Sequence, residues 1–170
     1  MTRFSGGLLQ NAGAPTAGTS EIQTITIGGT PTAGSFTITY DGNTTGAITW
    51  SSTNNTLVSN IQTALDALNT IGGSGNTTVA VGTATSGIGT FTVTFSGNLA
   101  KKDVSAMSVT SSLTGTSPTL AIATTTAGVT ATGWGAQKGQ LLIDTTNGIL
   151  YINTGTDLSA PTWTKVGTQS

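Results

Sequence analysis

Glu21, Asp41, Asp66, Asp103, Asp144 and Asp157 are the only acidic side chains in this 170-residue sequence, and no two are adjacent. General acid–base chemistry needs a group that titrates near working pH. The chain has no His, so these six are the candidates. A glycosidase-like mechanism would need folding to bring two carboxylates together. Asp41, Asp103, Asp144 and Asp157 lie in or beside stretches rich in Gly, Asn, Thr and Ser, where an Asp side chain commonly hydrogen-bonds its own backbone to shape a turn. A Ser or Thr nucleophile needs a base beside it, with Lys the only amine on offer, and no Gly-x-Ser-x-Gly elbow is present. Without Cys or His a zinc site has no ligands. No calcium-loop signature and no phosphate-binding Gly-rich loop occurs. The expectation is a protein that is not an enzyme and holds no metal or cofactor.

Composition points the same way. Five basic and six acidic residues give a net charge of −1, and charged residues make up 6% of the chain against about 25% in ordinary globular proteins. There are 39 Thr and 24 Gly. Such a chain favours pleated sheets whose outer faces carry hydroxyls instead of ions. The adjacent Lys101 and Lys102, followed by Asp103, read as a solvated loop. Nucleic acid is therefore not an expected partner, since neutralising phosphates takes clustered Lys and Arg. No apolar run approaches the ~20 residues of a membrane span. The first residues lack the apolar core of a secretory signal, so synthesis in a cytoplasm is expected. No Cys is available for disulfide stapling, which leaves oligomerisation as a source of robustness.

Hydrophobic patterning divides the chain into four parts. Residues 1–20 carry Arg3, Phe4, Leu8 and Leu9 among Gly, Ala, Ser, Thr and Asn without any period, and read as an extended arm that a neighbour would order. Residues 21–126 read as the body. Gln23, Ile25 and Ile27 alternate with Thr, Gly28 to Pro31 punctuates, Phe36, Ile38 and Tyr40 share a face, Asp41-Gly42-Asn43 turns, and Ile48 and Trp50 close a third strand. Leu57, Val58, Ile61, Ala64, Leu65 and Leu68 form one apolar stripe, which predicts a helix over about 54–70, capped from Thr53, Asn54 or Asn55 and stopped at Gly72-Gly73. Strands resume at 79–81, 91–95, near 107–109 and at 120–122. Gly34-Ser-Phe-Thr-Ile-Thr-Tyr-Asp-Gly42 is echoed by Gly89-Thr-Phe-Thr-Val-Thr-Phe-Ser-Gly97. Residues 127–137 read as a linker. In 138–170 two short apolar runs flank Asn147-Gly148, a hairpin signal in which both turn positions take positive φ, and a third run surrounds Trp163. The predicted fold is α+β, mostly antiparallel β with one amphipathic helix.

Trp50, Trp134, Trp163, Tyr40 and Tyr151 offer either a sugar-stacking platform or ordinary packing. Trp50 is expected in the core. The C-terminal piece is too short to hold its own core, so its apolar side chains Trp134, Leu141, Ile143, Ile149, Tyr151 and Trp163 are expected at an oligomer interface.

Two stretches resemble known proteins. The C-terminal block, Lys138-Gly139-Gln-Leu-Leu-Ile-Asp-Thr-Thr-Asn147-Gly148-Ile-Leu-Tyr-Ile-Asn-Thr-Gly and then Pro161-Thr-Trp163-Thr-Lys-Val-Gly167, resembles the ends of phage fibre and decoration proteins. Residues 21–112, with Glu-Ile-Gln, Gly-Thr-Pro-Thr-Ala-Gly-Ser-Phe-Thr and the Ala-Leu-Asp-Ala-Leu helix, resemble a module of phage and bacterial surface proteins, with Trp50 where a Tyr-like residue is common. The resemblance implies a structural role in a virion, first of all a capsid decoration or cement protein. Its partners would be the major capsid protein, held through Arg3, Phe4, Leu8 and Leu9 of the arm, and its own copies, as a homotrimer. A tail-fibre, spike or head-fibre protein touching the host, and a carbohydrate-binding or adhesive module, are the alternatives.

Overall fold

The computed structural model describes residues 18–130, 139, 141–144, 146–155 and 162–167. Arg3, Phe4, Leu8, Leu9, Trp134 and Asp157 lie outside the described residues. The fold is α+β and mostly antiparallel β, with one α-helix. The chain divides into two compact units, Thr19–Thr130 and one holding the C-terminal residues from Ala131.

The body is built on two 19-residue strands, β1 (Ile22–Tyr40) and, reached later in the chain, Ser108–Thr126, paired antiparallel along their length. Between them come β2 (Asn43–Thr44), β3 (Ile48–Thr49), α1 (Asn54–Asp66), β4 (Thr77–Thr85) and β5 (Ile88–Phe95), so the second long strand is β6. On its other side β1 pairs with β5 through its first half, and with β3 and β2 through its second; β4 flanks β5.

Alternation decides which face is core. Ile25, Ile27, Phe36, Ile38, Tyr40, Phe91, Val93 and Phe95 point inward with Leu57, Ile61 and Leu65 of α1. Tyr40 and Phe95 meet with ring centroids 5.5 Å apart. Thr24, Thr26, Thr92 and Thr94 lie on the opposite face. Trp50 packs against the core and donates its indole N–H to Gly87 O at 3.1 Å.

Several boundaries differ from expectation, each for a visible reason. Gly28 to Pro31 does not end a strand: β1 runs through it with register shifts, because β6 pairs with both halves. The runs near 107–109 and at 120–122 are likewise parts of one strand. The helix stops at Asp66 instead of about 70, and the chain continues in turns, with Leu68 N–H bonded to Leu65 O and Gly72 N–H to Leu68 O. Thr53 caps it without a side-chain bond. Asn54 holds the β4–β5 hairpin instead, donating to Ala84 O and accepting from Gly87 N–H, both at 2.8 Å. That hairpin turns on Ser86-Gly87, as β1–β2 turns on Asp41-Gly42. All four residues have positive φ, the geometry that two-residue turns demand. Val129, in the expected linker, is bridged to Thr19.

The glycines that begin the two echoed stretches, Gly34 inside β1 and Gly89 near the start of β5, share a constraint. Gly34 (φ 106) and Gly89 (φ 121) adopt backbone angles closed to L side chains, and a Cβ at either would run into a carbonyl oxygen, Ser112 O or Thr83 O. At Gly42 (φ 80) a Cβ would meet nothing. Chemical denaturation should show Gly34→Ala costing about 3 kcal/mol, from strain and collision together. Gly42→Ala should cost about 1 kcal/mol, from its left-handed backbone alone.

Candidate functional site

Among the described carboxylates, Glu21 is the most deeply placed, at 1% exposure. It stands just before β1, where Ser105, Val104 and Gly128 converge. Oε1 accepts from Gln23 Nε2 at 2.6 Å and Thr124 Oγ1 at 3.2 Å; Oε2 accepts from the amides of Val104 at 3.1 Å and Gly128 at 3.4 Å. Gln23 extends the lattice, donating to Ser105 O at 3.0 Å and accepting from Met107 N–H at 2.7 Å. Burial pushes the Glu21 carboxyl up, but bonds from Val104, Gln23 and Gly128 outweigh it and hold it below the ordinary value. Its neighbouring carboxylate is that of Asp103. Both Glu21 oxygens are nonetheless taken by donors of the chain itself. The arrangement ties the 100–107 loop and the end of β6 to the start of β1.

Asp41, Asp66 and Asp144 also have structural work. Asp66 accepts from Gln62 Nε2 at 2.9 Å, and Asp41 forms the β1–β2 turn. Asp144 shapes its turn as expected: Oδ1 accepts from the amides of Thr146 and Asn147 at 3.0 and 3.2 Å, and Oδ2 from Asn147 Nδ2 at 2.8 Å. The Asn147 side-chain bond, together with the two amides, holds this carboxyl below its ordinary value despite some opposing desolvation. Burial, then the charges of Asp41 and Glu21, pushes the Tyr40 phenol up. Among the described residues no group of three potential metal ligands gathers, and no helix is long and apolar enough to cross a membrane. A groove of about 400 Å³ between the β3 segment and α1 is lined by small or neutral side chains, including Ala47, Thr49, Asn60 and Ala64. Asn60 already donates to Thr49 O at 2.9 Å, which leaves little there to orient a substrate.

The C-terminal unit is a three-stranded antiparallel sheet: β7 (Leu141–Asp144), β8 (Ile149–Asn153) and β9 (Trp163–Lys165). Four residues separate Asp144 from its partner Ile149. The turn therefore differs from the two-residue form expected at Asn147-Gly148: Gly148 takes positive φ and Asn147 does not. The Asp144 carboxylate organises the longer loop.

Register splits the expected interface residues between two faces. Leu141 and Ile143 share a face with Leu150, Ile152 and Val166, and are 46% and 37% exposed. Ile149, Tyr151 and Trp163 lie on the opposite face, half-buried, with Leu142, Asp144 and Asn153 buried beside them. The Trp163 indole N–H is buried without an acceptor. Asn153 closes the β8–β9 connection by accepting from the amides of Gly155 and Thr162, each at 3.0 Å. The shared face of Leu150, Ile152 and Val166 was not anticipated from sequence; alternation within each strand carried the signal, once the register was known.

No family model and no curated protein matches the sequence. Among solved structures the chain is similar to one from Mycobacterium phage Patience, at 14% identity and a TM-score of 0.40, over 98% of this chain and 69% of that chain.

Proposed function

We propose that the protein is a non-enzymatic phage virion structural protein, a decoration or cement protein that binds the outer surface of the assembled head. The sequence resemblance over residues 21–112 and 138–167 motivates this reading. The structural observation that carries it is the C-terminal sheet, which turns Leu141 and Ile143 outward on an apolar face, a feature of association surfaces. The carboxylates of Glu21 and Asp144 support it, since donors of the chain itself take both oxygens of each. In this reading the major capsid protein is the partner of Arg3, Phe4, Leu8 and Leu9, and copies of the chain associate, as a homotrimer, through the C-terminal sheet. A ligand that binds only the assembled shell stabilises it by mass action, and several arms per oligomer raise the effective concentration of each.

Deleting residues 1–17, which spares the Thr19–Val129 bridge of the body, tests the arm. Capsid binding by the truncated chain should fall at least about 100-fold, the low end of what linked sites contribute, while the melting of the body stays in place. Unchanged affinity would sink the clamp. Binding to a glycan array without binding to capsids would favour a carbohydrate-binding module, and binding to host cells instead of heads a fibre.

A further inference from the structure

Among the described residues the sheet of the body has several edges, and β6 is the longest left unpaired; Pro118 and the irregularity beside it blunt that edge only at its centre. Unpaired strand edges recruit other strands, and proteins blunt them with charge, short length or a covering element. On the outer side of β4, α1 supplies the missing partners. Gln62 accepts from Val79 N–H at 2.8 Å and donates to Thr77 O at 3.2 Å, and Asn54 donates to Ala84 O at 2.8 Å. β2 and β3 are two residues long. In contrast, β6 is 19 residues long, pairs among the described residues only with β1, and contains no charged side chain. Its core-facing side chains Val109, Leu113, Leu120 and Ile122 pack on the core yet stay half-exposed, because the sheet ends there.

We propose that β6 is a self-pairing edge, on which β6 of a second copy adds antiparallel about a two-fold axis near the middle of the strand. Size fits. At about 3.3 Å per residue the edge is about 60 Å long, and with about 10 Å of sheet thickness it offers about 600 Å² per copy, about 1,200 Å² in all, where stable interfaces begin. Charge fits as well, since a second copy brings no like charge to a neutral edge. The axis matches a strand whose irregularity, Gly115 and Ser117 at positive φ, sits at its centre, leaving regular stretches on both sides to meet each other's counterpart. The added strand would cover the exposed halves of Leu113 and Leu120 and continue the core across the axis. This inference concerns the body alone and does not depend on the virion reading.

Ser112 and Ala121 are exposed, lie on the open face of the sheet and flank the centre of β6. Antiparallel pairing brings Ser112 of one copy near Ala121 of the other. The full chain carrying S112K and A121K should sediment at half the native mass across a concentration series, with unchanged circular dichroism. Mixing it with the S112E, A121E chain should restore the native mass through opposite charges. Three results would overturn the proposal: a native chain that stays monomeric, a Lys variant that keeps the native mass, or a mixture that fails to recover it. Should the Lys variant fold poorly, a single A121C in this Cys-free chain offers a second measurement. Disulfide cross-linking with an S112C chain supports the paired edge, and its absence in a native-mass oligomer overturns it.

Discussion

Glu21→Ala is expected to lower the unfolding free energy of the body by about 3 kcal/mol, because removing the carboxylate leaves buried donors without partners. The Val104 and Gly128 amides lose their acceptor, while Gln23 keeps Ser105 O. The loss should concentrate in the 100–107 loop, at the end of β6 and at Gly128 just after it, where hydrogen exchange would accelerate first. The same site sets an acid limit. Its carboxyl titrates lower in the folded chain than in the unfolded one, so its contribution is complete above the ordinary Glu value of 4.5. It is lost as pH falls through the folded value, when the unfolded state binds the proton more readily. The groups nearest the site are Gln23, Thr124, Asp103 and the Val104 and Gly128 amides. Melting curves from pH 7 to 3 should show the native body losing stability below pH 4.5, and Glu21→Gln, weaker at neutral pH, should show a shallower acid decline. A Glu21→Gln variant with the native acid decline would place the effect elsewhere.

If copies associate through the C-terminal sheet as proposed, Leu141→Asp combined with Ile143→Asp is expected to weaken that association by at least about 100-fold, the scale set by burying two carboxylates in an apolar contact. Both side chains are exposed in the single chain, so melting of the Thr19–Thr130 body should be unmoved. Tyr151 and Trp163 face the other way, so a conservative Tyr151→Phe change should leave the oligomer intact. Sedimentation equilibrium reads both. An oligomer unaffected by the two Asp substitutions would exclude this face as the interface.

Much of the fold was legible because its signals are local. Strand alternation at Gln23–Ile27, Phe36–Tyr40 and Phe91–Phe95, the stripe from Leu57 to Leu65 and the Asp41-Gly42 turn each depend on residues within a few positions. The misplaced boundaries depended on partners far away. Nothing near Gly28–Pro31 announces that β6 pairs with β1 on both sides of it, so a local break was the natural expectation and a bulge was the outcome. Asn54 looked like a cap and became the clasp of a hairpin more than 30 residues downstream.

The chemical character of the protein follows from sequence by itself: no His, no Cys, six scattered carboxylates and a Thr-rich, nearly uncharged chain that favours sheets. Which carboxylate is buried, which face of the C-terminal sheet is exposed and which edge is unpaired among the described residues were decided by tertiary structure alone. The reason is common to all three. Burial and exposure of a strand depend on what lies beside it and above it, and in this chain the deciding neighbours are long-range: β6 beside β1, α1 along β4, and the Val104 and Gly128 amides around Glu21.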